Sequence, residues 1–279
     1  MNLMLVDRRE LDDQGTVTVV DARARHLSTV LRVACGQTVR LGVLDGPLGS
    51  GVVTAMTDAA VTLQCAFEAT VPAVPAVDLL LALPRPKVLH RLWAQLAALG
   101  VGRIMLTNAE RVERNYFDTH VLAESIYRPL LVEGLQQARD TRVPVVTVHR
   151  RFRVLVEDAL PPLLHAPIRI VAHPSTQASL RDVFALPPHA PLREAPSRVL
   201  LAVGPEGGWN PFELDLLAAR GFVAVTMGPR TLRTDTACIA LIALVHEALS
   251  TERPAALAST VVSGVAAADL RVSRYTSGP

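Results

Sequence analysis

The sequence predicts an α/β protein in two parts, a small β-rich module followed by a larger domain of alternating strands and helices. Three observations carry the prediction. Short stretches of alternating apolar and polar residues fill the chain up to about residue 68. Near-continuously apolar runs of five to seven residues, interleaved with helical segments, follow from residue 77. Between them, Val71-Pro72-Ala73-Val74-Pro75-Ala76 sets two prolines among small residues, which favours extended chain and marks a boundary.

In the first part the alternating stretches 2–6, 16–20, 37–43, 51–56 and 60–66 read as strands. Asp12-Asp13-Gln14-Gly15, Leu44-Asp45-Gly46-Pro47 and Thr57-Asp58 are turn-formers between them. One helical segment, 25–33, interrupts the strands, with Leu27, Val30 and Leu31 at helical spacing. In the second part the apolar runs 77–83, 103–107, 143–148, 168–172, 199–203 and 222–227 have the character of parallel strands covered on both faces. Helices fit 87–99, 120–138, 152–159, 211–219 and 235–249. The last is apolar on every side through Ile239, Ala240, Leu241, Ile242, Ala243, Leu244 and Val245. Such a helix must be buried all round, and a second chain over it would do this. Beyond residue 252 the Ala/Ser/Val-rich tail has no clear period and reads as a flexible extension, 253–279.

Composition narrows the class. Half of the 279 residues are hydrophobic and 19% are charged, which excludes disorder as the main state. Mean hydropathy is +0.30, yet no run of about 18 apolar residues exists, and Asp7, Arg8 and Arg9 arrive too early for a signal-peptide core. A soluble cytoplasmic protein is the expectation. Cys35, Cys65 and Cys238 stand far apart with no Cys-x-x-Cys pair, and the eight histidines show no ligand spacing, so neither disulfides nor a metal is expected. The cysteines read as buried small hydrophobes. Lys87 is the only lysine; the other 27 basic residues are arginine, whose planar fork suits phosphates and stacked bases, although a GC-rich coding sequence gives the same bias. A net charge of +2 says little, but residues 85–114 hold five Arg and Lys87 against Glu110 and Glu113. Residues 139–153 hold five Arg against Asp140. Such clusters suit a polyanion.

Two loops carry the chemistry. Gly204-Pro205-Glu206-Gly207-Gly208-Trp209-Asn210-Pro211 follows a buried strand and opens a helix, with Asn210 placed to N-cap, Pro211 at the first helical position and Glu213 where a capping-box acid reaches back. Its glycines let backbone approach a ligand closely. It is neither a P-loop nor a dinucleotide fingerprint, because the lysine and the Gly-x-Gly-x-x-Gly spacing are absent. Met227-Gly228-Pro229-Arg230-Thr231-Leu232-Arg233-Thr234-Asp235-Thr236-Ala237 likewise joins a strand to a helix; Thr234 or Asp235 can cap that helix.

Together these loops closely resemble the C-terminal signature of the RsmE-type enzymes, SPOUT-superfamily methyltransferases that act on N3 of a uridine in 16S rRNA. Arg25-His26-Leu27 to Val30-Leu31-Arg32 resembles the family's N-terminal motif. The resemblance implies a PUA-like RNA-binding β-barrel over 1–70, a trefoil-knotted SPOUT methyltransferase domain over 77–252, a homodimer through that domain, and 16S rRNA or the small ribosomal subunit as partner. It implies S-adenosylmethionine as cofactor, held by Leu81 and Leu83, by His173 and Pro174, by Val203, Gly204, Pro205, Glu206, Gly207 and Gly208, and by Met227, Gly228, Leu232, Arg233, Thr234, Thr236 and Ala237. Arg233, Arg230 and Asp235 are the implied catalytic residues; Arg8, Arg9, His26 and Arg32 are the RNA contacts. The chain departs from the family where Gln-Lys-Ala-Thr-Glu-Leu-Gly gives way to Ala94-Gln95-Leu96-Ala97-Ala98-Leu99-Gly100, and where Glu-Gln-Ser-Gly-Arg gives way to 135–142. Asp235 stands where glutamate is common. A superfamily member with another RNA target stays open on those departures, as does a catalytically silent RNA-binding homologue.

Overall fold

The computed structural model describes residues 2–160, 168–185 and 198–251; the expected 253–279 extension lies outside them. Two sheets form. The first holds β1 (Met4–Val6), β2 (Thr16–Val19), β3 (Thr38–Val43), β4 (Leu48–Met56) and β5 (Val61–Phe67), in the order β1-β3-β4-β5-β2. β1 runs parallel to β3 and every other pair is antiparallel, so the sheet is mixed and curls into a half-barrel with β1 and β2 at its edges. Alternation sends Val17, Val19, Leu41 and Leu63 inward, where they meet Leu27 from the helical segment. That segment is α1 (Ala22–Arg25), capped by Asp21 on Arg23 N–H and continued by a wider π-helical turn, His26–Val30. Arg23 is clamped between Glu10 and Asp21 and also donates to Leu5 O, which ties the start of α1 to the end of β1.

The second sheet is parallel throughout, in the order β11-β9-β10-β6-β7-β8. Its strands are β6 (Val77–Ala82), β7 (Val101–Thr107), β8 (Val145–His149), β9 (Ile168–Ala172), β10 (Val199–Val203) and β11 (Val223–Val225). Central β6 and β10 are buried at every residue, as the apolar runs predict. The expectation of cover on both faces fails for β8, whose Val145 and Val148 are exposed, because it is an edge strand with one neighbour. The helices are α2 (Pro86–Ala98), α3 (Glu124–Ala138), α4 (Phe152–Val154), α5 (Leu180–Ala185), α6 (Pro211–Ala218) and α7 (Thr234–Thr251). Amphipathic α2 buries Leu89, Leu92, Trp93 and Leu96. The single helix expected over 120–138 is divided: His120–Leu122 form a 3-10 turn capped by Thr119, Ala123 is extended, and α3 starts afresh. The short α5 was not expected, although Ser179-Leu180-Arg181-Asp182 is a capping-box pattern and both reciprocal bonds form.

The two sheets are held together by backbone-directed contacts. Thr141, fully buried, donates from Oγ1 to Gly46 O (2.7 Å), and its own carbonyl accepts from Asp45 N–H (2.8 Å). Asp45 Oδ1 accepts from Val143 N–H (3.0 Å), and Arg142 Nε donates to Pro72 O in the linker. The 135–142 segment, a departure from the family pattern, therefore leads into the contact between the two units. Strand β1 joins them too. Met4 and Val6 point into the half-barrel core, whereas Leu3 and Leu5 belong to the core of the parallel sheet. Among the described residues no helix is long and apolar enough to cross a membrane. The three cysteines are free; Cys238 is buried and Cys65 half-buried, but Cys35 is exposed, contrary to the expectation of burial, because it sits in the turn before β3.

Candidate active site

Parallel strands leave their C-terminal ends together at one edge of the sheet, and ligand crevices of open α/β sheets form there. Here β9, β10 and β11 end around a cavity of about 180 Å³. Three loops wall it: His173 and Pro174 after β9, 204–208 after β10, and 226–234 after β11. The 204–208 loop owes its shape to sequence. Gly208 N–H donates to Pro205 O (2.8 Å) and Gly208 takes φ +74°, the left-handed conformation glycine adopts at no steric cost. Gly204 lies flat against the indole of buried Trp209, where a Cβ would come within 3.1 Å of Nε1. Asn210 and Glu213 then form the expected capping box: Asn210 Oδ1 accepts from Glu213 N–H and Glu213 Oε2 from Asn210 N–H, both at 2.8 Å.

The third loop turns at Gly228, φ +103°, where Thr226 Oγ1 accepts from Gly228 N–H and donates to its carbonyl, both at 3.2 Å. Thr234, buried at the start of α7, reaches across with its hydroxyl to Gly204 O (3.4 Å), joining the two glycine-bearing loops. Glu206 adds a carboxylate to the lining, and its Oε1 accepts from Arg85 N–H (3.3 Å). On the outer side Arg111 donates to Gly207 O and packs so closely that a Cβ on Gly207 would meet its side chain at 2.9 Å.

Of the residues expected around the cofactor, all line this cavity except Leu81, Leu83, Arg233 and Thr236. Leu81 and Leu83 are buried in the core. Leu81 pairs with Val203 across the sheet and Leu83 N–H is bonded to Thr107 O, so both support the wall from behind. Arg233 and Thr236 are exposed at the start of α7. Arg230 lines the cavity. Asp235 does not. Its Oδ2 accepts from Arg91 Nη2 (3.0 Å) and Arg233 Nη2 (3.3 Å), and its Oδ1 from Thr236 N–H (3.0 Å). Burial works against ionisation of Asp235, but the Arg233, Thr236 and Arg91 hydrogen bonds outweigh it and hold its carboxyl below the usual aspartate value. Arg91 was not singled out from sequence; its only signal was membership of the basic 85–114 cluster. Arg8, Arg9 and Arg32 are exposed on the half-barrel unit. His26 is half-buried, and its Nε2 is sealed from solvent without a partner among the described residues, so this atom is not a surface contact for phosphate.

Comparison with known proteins agrees with the geometry. Residues 72–246 match the family described as the RNA methyltransferase domain. The ribosomal RNA small subunit methyltransferase E of Treponema pallidum is 30% identical over 252 residues, covering 88% of this chain and 90% of the relative. Among solved structures, the ribosomal RNA small subunit methyltransferase E of Neisseria gonorrhoeae, crystallised with S-adenosyl methionine, superposes with a TM-score of 0.68 at 22% identity, over 88% of this chain and 97% of that one. A probable rRNA methyltransferase of Porphyromonas gingivalis gives 0.71 at 19% identity, over 91% of this chain and all (100%) of that one. On this coverage the chain belongs to the RNA methyltransferase family, alongside the ribosomal RNA small subunit methyltransferases E.

Proposed function

We propose that the protein is a cytoplasmic S-adenosylmethionine-dependent methyltransferase acting on N3 of a uridine in the 16S rRNA of the small ribosomal subunit. The observation that carries the reading is the cavity where the 204–208 and 226–234 loops meet at the ends of β9, β10 and β11. The walls suit that cofactor. Gly204 and Gly208 give a backbone surface against which adenine and the methionine chain can lie, and Glu206 offers a carboxylate to a cationic ligand. Bound there, S-adenosylmethionine would supply an electrophilic sulfonium methyl.

The chain's own residues have three tasks. Uridine N3 must lose a proton, and negative charge gathers on the uracil oxygens as it does. Arg230 at the cavity wall and Arg233 at the start of α7 are the cations available to that charge, and the N-terminus of the 18-residue α7 adds a favourable dipole. Asp235, held ionised below the normal carboxylate range, is a weak base; its two arginine bonds make it the residue that orients Arg233. Exposed Arg8, Arg9 and Arg32 supply phosphate contacts that place the RNA, and the base leaves its stack to reach the site. A dimer forms over α7, where Leu244 is 48% exposed beside exposed Ala243.

The test is methyl transfer from labelled S-adenosylmethionine to small subunits and to protein-free 16S rRNA, each from cells lacking the protein, with the product nucleoside identified by mass spectrometry. Appearance of 3-methyluridine is the expected result. Another methylated nucleoside overturns the assignment of the base, and absence of incorporation into either RNA overturns the reading.

A further inference from the structure

A second cavity, about 280 Å³, opens beside the first at the ends of β7 and β8. The same stretch of chain serves both: residues 204–208 wall the first cavity, and Asn210, Phe212 and Glu213 immediately after them wall the second. Arg111, bonded to Gly207 O, lies between the residues 108–110 that line the second cavity and the loop that lines the first.

Its chemistry is specific. Phe212 is 57% exposed on the first turn of α6, so much of its ring is open to a ligand in the cavity it lines. Arg114 and Arg153 bring cationic groups, Arg153 being paired with Glu157 at 2.7 Å. Glu213, although buried in the lining, has both oxygens occupied by the N–H groups of Glu110 (2.7 Å) and Asn210 (2.8 Å), so it presents no open acceptor. Asn108 does. Its Oδ1 is buried and without a hydrogen-bond partner among the described residues, a costly state that a donor on a ligand would relieve. Exposed Glu110 is the one further carboxylate in the lining.

An aromatic face, an orphan acceptor and two guanidiniums in one cavity match an unpaired nucleotide: a ring to stack, ring N–H or amino groups to donate, and a phosphate to pair. We infer that this cavity is a subsite for a nucleotide neighbouring the methylated one in the RNA, with its base on Phe212, a base donor on Asn108 and its phosphate at Arg114 and Arg153. The inference rests on the proposed RNA methylation. Turning a uridine out of its stack exposes its neighbours, and a subsite one loop away from the cofactor cavity holds such a neighbour while the target enters.

The experiment measures binding of a fluorescein-labelled oligouridylate to the full chain by anisotropy over a range of salt, alongside KM and kcat on unmethylated small subunits. Phe212→Ala is expected to weaken oligonucleotide binding about tenfold and to raise KM by a similar factor with kcat little changed, and Phe212→Trp to restore both. Arg114→Ala should flatten the salt dependence. S-adenosylmethionine affinity, measured by calorimetry, should be that of the wild type in all three and reports correct folding. Wild-type oligonucleotide affinity in both Phe212→Ala and Arg114→Ala overturns the subsite. So does a loss of cofactor affinity in Phe212→Ala, which would assign the side chain to the first cavity. If the unaltered protein methylates no RNA yet binds the oligonucleotide through Phe212, the proposed reaction falls and takes with it the place beside a methylated uridine, while nucleotide binding at this cavity stands.

Discussion

Arg91, in the middle of α2, donates to the Asp235 carboxylate at the start of α7 across 3.0 Å, and the same oxygen accepts from Arg233. Arg91 sits one helical turn before Gln95, the position where the family pattern carries lysine. With Arg91 removed, Asp235 keeps Arg233 as its sole guanidinium partner and the pair is free to swing together. Arg91→Ala is expected to lower kcat about tenfold with cofactor affinity unchanged, and Arg91→Lys to recover part of the loss. Single-turnover methyl transfer and calorimetry separate the two quantities; an unaltered kcat would remove Arg91 from the positioning of Arg233.

Acid should act on this protein through carboxylates held below their usual values. Asp235 is one. Glu10 is another, lowered chiefly by its hydrogen bond from Arg23 against the opposing effect of burial. A depressed folded-state pKa gives stability that is fully present above the unfolded value, about 4 for these groups, and is lost as pH falls through the folded one. Urea unfolding should therefore report a plateau from these groups at pH 5 to 7 (about one unit or more above their unfolded values) and a decline below pH of about 4. Arg23→Met should shrink that decline and cost about 2 kcal/mol at neutral pH, since it strips partners from two carboxylates and from Leu5 O. A decline of unchanged depth in this variant would assign the acid sensitivity elsewhere.

Gly134 allows α3 to lie directly on α2. A Cβ at this position would fall 2.1 Å from Ala94 O, and the obstacle is backbone, so no side chain can move aside. Gly134→Ala is expected to destabilise the protein by about 3 kcal/mol through overpacking, despite the better helix propensity of alanine. The fluorescence of Trp93, buried on α2, follows the transition in urea. Restoration of stability by a substitution at Ala94 would contradict a backbone clash.

Two glycines of the 204–208 loop differ in what they require. Gly204→Ala would push a methyl against the Trp209 indole and narrow the cavity, whereas Gly208→Ala meets nothing within 4 Å and suffers only from its φ of +74°. The first should weaken S-adenosylmethionine binding at least tenfold. The second should cost about 1 kcal/mol of stability, most of it recovered in Gly208→Asn, because asparagine tolerates the left-handed region. Equal effects of the two alanines on cofactor affinity would refute the distinction.

The parallel strands were legible because burial leaves a plain signature: β10 is an uninterrupted apolar run, and β6 and β9 are broken only by Asp78 and Arg169. Asn210, Pro211 and Glu213 announced the start of α6 because capping is local chemistry. Edges and tertiary partners were less legible. Val145 and Val148 look like core residues to any periodicity count, and only the strand order shows that β8 has solvent on one side. Neither Arg91–Asp235 nor Arg111–Gly207 leaves a pattern in the chain, since the partners lie far apart in sequence and no spacing rule links them. Leu81 and Leu83, named through the resemblance, lie in the core behind the cavity wall: β6 is buried on both faces, so no alternation in the sequence separates a ligand-facing side from a core-facing one.

β1 bears on the order in which the chain is made. Its three residues and Leu3 just before them are divided between two cores, Met4 and Val6 in one, Leu3 and Leu5 in the other. Synthesis delivers Leu3 and Leu5 long before Val77, Val101 and Val199, the residues that begin three strands of the core they enter. Pairing with β3 holds the strand in register in the meantime, so the half-barrel presents two waiting leucines to the later part of the chain. Expression of that later part by itself would leave an apolar notch where they belong.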